Sequence, residues 1–405
     1  MRICVLGAGI VGLATAWQLR QHGHKITVID RDQPGHGASG GNGAQLSYSY
    51  VAPLADPGIW GQLPKLLLAA DSPLKLRPRL DPLQWLWGLR FLAACRAGTA
   101  QATTAQLLKL AFESRAAFDA MRAQLQPDCD FSATGKLVLY DSPEGLAGAG
   151  RQLALQRRMG SQQQLVSAQE CVAIEPALDG YRRHIAGAVY TPSECAADCF
   201  KLCQALAQAL AADGVHMLTR HAVRGLVQRA GRAVAAQTSA GEIEADAFVV
   251  ALGTASHALG RQLGVYLPVY PLKGYSITVA ADPAPGAAPR VSVTDSARKV
   301  VFARLGARLR VAGMAEIVGA DTHIPPARIR TLIDATQAVF PQCSSSFDAP
   351  APWTGMRPAT PTGLPIVGRV GRAPANVLFN TGHGALGFTL AFGTAARIAA
   401  QLTAG

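Results

Sequence analysis

The chain has 405 residues, of which 49% are hydrophobic and 16% charged. This excludes chain-wide disorder and allows a large buried core, built as two or three domains or as one assembly of interleaved segments. Thirty-eight Lys and Arg against 26 Asp and Glu leave a net charge of +12, which suits acidic small molecules, an anionic membrane surface or plain solubility.

Residues 2–6 (RICVL) read as a buried strand, GAGIVG as a turn and LATAWQLRQHG as a helix ending at Gly23. A second strand, KITVID, closes on Asp30. Gly7, Gly9 and Gly12 fall at Gly-x-Gly-x-x-Gly positions, and in this strand, turn, helix, strand, acid context they point to a dinucleotide site. The glycines let the backbone approach a pyrophosphate at the helix N-terminus, and Asp30 can accept from a ribose hydroxyl. The same glycines cut the first apolar run too short for a signal peptide. A second glycine-rich stretch, GHGASGGNGAQLSYSY at 35–50, can run close to a ligand with Ser39 and Asn42 as donors, or form a plain flexible loop.

Residues 60–96 hold three of the five tryptophans (Trp60, Trp85, Trp87), many leucines and six basic residues (Lys65, Lys75, Arg77, Arg79, Arg90, Arg96) against two acids. That mixture suits a helix lying on an anionic membrane surface, and equally an ordinary helical insertion packed on a sheet. Nucleic acid is not expected as a partner, because no fold for it appears and the basic residues form no continuous stripe. No apolar stretch reaches the ~18 residues of a membrane-spanning helix.

SATGKLVLY (132–140), IAGAVYTP (185–192) and KVVFARLGARLRVAG (299–313) read as strands of a separate, largely antiparallel sheet, the last as a hairpin around Leu305 and Gly306. Between them CAADCFKLCQALAQALAADG reads as an amphipathic helix, and VHMLT, HAVRGLVQ and EADAFVVALGTAS return the chain to the first sheet. The expected fold class is therefore α/β, with a Rossmann-like domain (1–60, 195–258, 351–405) interleaved with an antiparallel-sheet α+β substrate domain (61–194, 259–350). Eight scattered cysteines show no zinc spacing, and no metal is expected. Cys195, Cys199 and Cys203 would stack along one helix face as small apolar packing, in a reduced, cytoplasmic compartment.

GMRPATPTGLPIVG (355–368) contains a single charge, Arg357. A guanidinium in an apolar loop needs an anion, either a ligand or an internal acid.

The N-terminal glycine pattern, ALGTAS (251–256), PLKGYSITV (271–279), WTGMRPATPTGLPIVG (353–368) and NTGHGALGFTLAFG (380–393) together resemble the FAD-dependent D-amino acid oxidase superfamily, in that order and across nearly the whole chain. Within it the likeness is greatest to the bacterial D-amino acid dehydrogenases. The resemblance implies that the Rossmann-like domain binds FAD through Gly7, Gly9, Gly12, Asp30, Arg31, Ser39, Gly40 and Asn42. Val223 and Gly253 would add contacts, and the turn opening the C-terminal helix (Gly382, His383, Gly384, Gly387, Thr389) would meet the flavin ring. The free amides and dipole of such a helix can stabilise negative charge arriving on that ring. His383 is equally a capping or packed residue.

The resemblance further implies that Arg357 binds the α-carboxylate of a D-amino acid. The substrate Cα would pass a hydride to flavin N5, giving an imino acid that hydrolyses to a 2-oxo acid and ammonia. Tyr48, Tyr50, Tyr275 and Lys273 are candidate substrate contacts, and each is equally a packing residue. Electrons would pass to a quinone or another acceptor, with peripheral contact to the inner face of the cell membrane. Alternative readings are an oxidase or dehydrogenase of glycine, sarcosine, D-proline or hydroxy-D-proline, and a non-catalytic flavin-binding subunit.

Overall fold

The computed structural model describes residues 1–51, 53–60, 74–348 and 350–403. Two large sheets organise it. The first has six strands in the order Ile366–Gly368, Val377–Thr381, Ala247–Val250, Arg2–Leu6, Lys25–Ile29 and His216–Leu218, all parallel except the first. Its central strands are continuous apolar runs, as burial on both faces demands: Cys4, Val5, Leu6, Phe248, Val249 and Val250 are all buried. Helix Ile10–Gln21 follows the first strand, with His22 as its C-cap and Gly23 just beyond it at φ +78°. The C-terminal helix Gly387–Thr403 packs between this helix and the long helix Ala97–Leu125. Contrary to the sequence expectation, residues Gly384–Thr403 are long and apolar enough to cross a membrane, because the helix supplies the core with a face on nearly every side and is mostly buried.

The second sheet has nine strands. Ala351–Ala359, Tyr270–Ala280, Arg308–Ile317, Val300–Leu305, Ser292–Asp295, Lys136–Tyr140, Gly187–Thr191 and Gln164–Val166 lie side by side, and Leu74–Leu76 joins the edge of Arg308–Ile317. The expected hairpin is present, turning through Gly306 at φ +60°. The sheet is mixed rather than purely antiparallel, since Ser292–Asp295 runs parallel to Lys136–Tyr140 and Leu74–Leu76 parallel to Arg308–Ile317. Strand Ala351–Ala359, expected in the nucleotide-binding segment, pairs instead with Tyr270–Ala280 over nine residues. The chain returns to the first sheet only at Ile366.

One face of the nine-stranded sheet is a dry core of Tyr275, Ile277, Val293, Phe302, Leu309 and Val311 under helix Pro326–Val339. The other presents Arg357, Gly274, Ser276, Ala312 and Lys136, because side chains alternate across a strand.

Two local expectations change. Helix Cys199–Ala212 begins at its Asp198 cap, whose carboxylate accepts from the Phe200 and Lys201 amides, so Cys195 lies outside the helix in a short strand with Ala196. All eight cysteines are buried and free, and the described residues contain no metal-binding cluster. In the basic, Trp-rich segment, residues 61–73, Lys65 among them, lie outside the described residues. Helix Pro82–Ala94 buries Gln84, Trp87 and Phe91 and exposes Trp85, Leu86 and Leu89. Trp87 is therefore a core residue, its indole N–H donating to the Ala359 carbonyl at 2.8 Å.

Candidate active site

The glycine turn after the first strand is closed so tightly that side chains cannot enter. A Cβ on Gly12 would collide with the Gly7 carbonyl, and one on Gly7, which has φ +111°, with the Ala251 carbonyl. Asp30 stands at the end of the second strand with Oδ2 accepting from the Ala8 amide at 2.6 Å and Oδ1 from the Asp32 amide at 2.9 Å. A carboxylate so held keeps lone pairs for a ribose hydroxyl. Ser39 reaches back to the start of the helix, where its hydroxyl accepts from the Ile10 amide at 3.0 Å. Gly9 is open apart from this hydroxyl, and Gly253, at φ +57°, has nothing within 4 Å of a built Cβ. These residues form a cradle that fits a dinucleotide: bare backbone, a helix N-terminus and a fixed acid. Val223 opens strand Val223–Arg229, half-buried beside this end of the sheet, whereas Arg31 is exposed and paired with Asp32 at 3.2 Å.

The loop from Gly40 to Gln45 crosses from this cradle onto the open face of the nine-stranded sheet. Ser276 donates to the Gly41 carbonyl at 2.7 Å and Arg310 to the Asn42 carbonyl at 2.9 Å. The Asn42 side chain accepts from the Ala44 amide at 3.0 Å and so shapes the turn, leaving its amide nitrogen free to donate. The Trp353 ring lies against Gly40, Gly41 and Gly355, each of which would clash with it or crowd it if it carried a Cβ.

Arg357 lies two positions along from Gly355 on the same strand face, opposite Leu272. Its guanidinium crosses Gly274, where any side chain would meet it, and Nη1 donates to the Met314 carbonyl at 2.8 Å. That carbonyl is available because the ladder slips between Lys273 and Tyr275, leaving Met314 bulged at φ +63°. Among the described residues no carboxylate pairs with Arg357, and burial pulls it below the ordinary guanidinium value. The internal-acid alternative thus has no partner, and the remaining donors of the fork are open to an anion that arrives.

The glycine turn before the C-terminal helix reaches the same place. His383 bridges to Ala359, two residues beyond Arg357, and Gly382 fits against Thr360 only for lack of a Cβ. His383 is fully packed, with Nε2 3.1 Å from the Thr394 hydroxyl. Burial pushes it down to about 3, so it is neutral. Gly384, at φ +56°, and Gly387 lead into the helix, and the Thr389 hydroxyl accepts from the Ser47 amide at 3.1 Å.

The candidate substrate contacts separate. Lys273 and Tyr275 stand on the opposite face of the sheet from Arg357, since they alternate with Gly274. There Lys273 donates to the His323 carbonyl and lies 3.5 Å from Asp321, and the Tyr275 hydroxyl donates to Glu316 at 2.7 Å. Tyr48 is buried in the helical core with its ring 5.5 Å from Arg115 and its hydroxyl without a partner among the described residues. Tyr50 is half-buried on the same sheet face as Lys136, whose ammonium lies 4.6 Å from its ring. Sequence reasoning missed Gly274, Trp353 and Lys136. The first two left a signal: LKGYS and WTGMRP each carry a glycine at a strand position where a bulky neighbour must pass.

Comparison with known proteins finds a matching family and full-length relatives. A family model described as FAD dependent oxidoreductase matches residues 2–402. The chain is 48% identical to a protein named D-amino acid dehydrogenase 2 from Ralstonia nicotianae, over 98% of this chain and 96% of that protein. It is 45% identical to one of the same name from Pseudomonas aeruginosa, over 99% and 94%. Among solved structures, glycine oxidase from Geobacillus kaustophilus shares the fold with a TM-score of 0.77 at 22% identity, covering 99% of this chain and 95% of that one.

Proposed function

The chain belongs to the FAD dependent oxidoreductase family, and from that premise we propose that it is a dehydrogenase that oxidises D-amino acids to imino acids, which hydrolyse to 2-oxo acids and ammonia. The observation that carries the reading is Arg357, a guanidinium without a carboxylate partner among the described residues, held over Gly274 by the bulged Met314 carbonyl. The preference for D-amino acids follows the relatives' names.

FAD, when bound, supplies the two-electron acceptor for the hydride leaving the substrate Cα. Gly7, Gly9, Gly12, Asp30 and Ser39 would hold its dinucleotide half, and the turn Gly382–Gly387 its ring. Arg357 would take the α-carboxylate in a bidentate pair, which fixes the orientation of Cα. The substrate's own neutral amine supplies the electron push, so the protein orients rather than abstracts. The positive end of helix Gly387–Thr403 would stabilise negative charge developing on a flavin ring held at the turn Gly382–Gly387. Lys273 and Tyr275 brace the sheet from behind, and Tyr50 lies on the open face beside Lys136.

We further assign the electrons to a membrane quinone. Trp60, Leu80, Trp85, Leu86 and Leu89 are exposed beside exposed Arg77, Arg79 and Arg90, an amphipathic surface suited to anionic headgroups. Turnover of a D- and L-amino acid panel, glycine and D-proline included, with a quinone analogue or oxygen as acceptor tests the reading. Ammonia and 2-oxo acid should form from D-amino acids with quinone. Turnover confined to glycine, or to oxygen as acceptor, would replace it with the oxidase reading.

A further inference from the structure

Lys136 shares the open sheet face with Arg357 but has no part in the site described so far. It is 4% exposed, and its ammonium donates to the Ser47 hydroxyl at 2.9 Å. The carboxylate it faces, Glu194, is 1% exposed and accepts from the Tyr48 and Ser49 amides, both at 2.7 Å. The Ser47 amide in turn donates to Thr389 in the first turn of the C-terminal helix. Three successive amides and one hydroxyl of the segment 47–49 are thus fixed by Lys136, Glu194 and the helix that would face the flavin. Tyr50 follows directly, with its ring against the Lys136 ammonium.

Burial opposes both charges. It lowers Lys136 below the usual lysine range against the attraction of Glu194, and raises Glu194 above the usual carboxylate range against Lys136 and the two amides. The other groups facing this network are Arg115 and Asp119 on helix Ala97–Leu125, Cys195, Tyr48, and Tyr140, which hydrogen-bonds Tyr50. An apolar pair of similar volume would serve packing at least as well as two buried charges. Their presence beside the site therefore calls for a role that packing does not supply.

We propose that Lys136 is a positioning residue for the flavin site: its charge holds Ser47 and Tyr50 against the C-terminal helix, and the site weakens when that charge is lost. The proposal rests on the functional reading above. A lysine whose folded value is lowered keeps its charge below that value and loses it as pH rises through it, at a lower pH than an ordinary lysine. Arginine at this position would stay charged throughout.

The test compares FAD-loaded wild type with K136R, K136M and the double variant K136M/E194Q, which removes the orphaned acid should K136M alone fold poorly. Three quantities are followed against pH: the rate of flavin reduction by a D-amino acid, the flavin midpoint potential and the melting temperature. The wild-type rate should fall as pH rises through the lowered Lys136 value, before an ordinary lysine would titrate, whereas K136R should hold its rate. The methionine variants should be roughly tenfold to a hundredfold slower below that pH and show no fall there. Pair removal that shifts only the melting temperature, leaving rate and potential profiles superimposable on wild type, overturns the proposal. If no D-amino acid reduces the wild type, the functional reading fails by itself. The potentials then decide: a K136M potential below wild type at pH ~7, converging with it at alkaline pH, supports the proposal, and identical potentials refute it.

Discussion

Arg357 and the glycine beneath it make separable predictions. Arg357→Ala should keep FAD but lower kcat/KM about 10-fold to 150-fold, the loss expected when a charge-assisted hydrogen-bonded pair worth about 1.5–3 kcal/mol is removed. Gly274→Ala is the sharper case. Its methyl would meet only the far end of a flexible side chain, the Arg357 guanidinium, so the fold should tolerate it while the carboxylate fork is displaced. A raised KM at an unchanged melting temperature and FAD content is expected, and steady-state kinetics beside thermal melting checks it. Arg357 could be singled out from sequence because a lone charge in an apolar loop is a local signal. Lys273 and Tyr275 could not be sorted from it, because which face of a strand meets the cofactor is set by the partner strands and by a bulge at Met314.

At the scale of elements, the first strand, turn and helix were legible because each rule is local: apolar runs, glycines where no Cβ fits, an acid at the second strand's end. Gly12→Ala should accordingly lose FAD, since its methyl would strike backbone rather than a movable side chain; flavin content of the purified variant measures this. The helix Pro82–Ala94 shows the limit of composition. Trp85 and Trp87 look alike in sequence, but they sit two residues apart on a helix and therefore point to different sides. Trp87→Ala should cost about 3–5 kcal/mol by chemical denaturation, as for a buried aromatic, because it stacks on Phe91 and bonds Ala359. Trp85→Ser should leave stability nearly unchanged and weaken binding to anionic vesicles. Equal vesicle binding would remove the membrane role of this face.

For the molecule as a whole, the nine-stranded sheet is tied to helix Cys199–Ala212 and to Asp130 by a charged cluster that no sequence spacing announced. Arg308, on the nine-stranded sheet, bonds Asp130 at 2.7 Å and Asp198 at 2.8 Å, and Lys201 bonds Asp130 at 3.1 Å. Burial pushes Asp130 up, but the bonds from Lys201 and Arg308 prevail and hold it below the usual carboxylate range. A carboxylate lowered in the folded state contributes stability above its unfolded value of about 3.9, and that contribution is lost as pH falls through the folded value. Arg308→Ala should lower the melting temperature at neutral pH, by a stability loss of order 1 kcal/mol or less for partly exposed groups. The gap to wild type should narrow below pH ~4. The contacts of Arg308 join residues more than a hundred positions apart, and nothing in the spacing of Asp130, Asp198 and Arg308 reports them. Helix and strand order along the chain, by contrast, reports the interleaving of the two halves.

The central claim is that this site passes hydride from a D-amino acid, held by Arg357, to bound flavin. Anaerobic mixing of the FAD-loaded protein with matched D- and L-amino acids, followed by flavin absorbance, addresses it without any electron acceptor. Bleaching by D-amino acids in wild type, slowed about 10-fold to 150-fold at the same concentrations in Arg357→Ala, is the predicted result. Bleaching that is indifferent to Arg357, confined to L-amino acids, or absent with every amino acid would contradict the account.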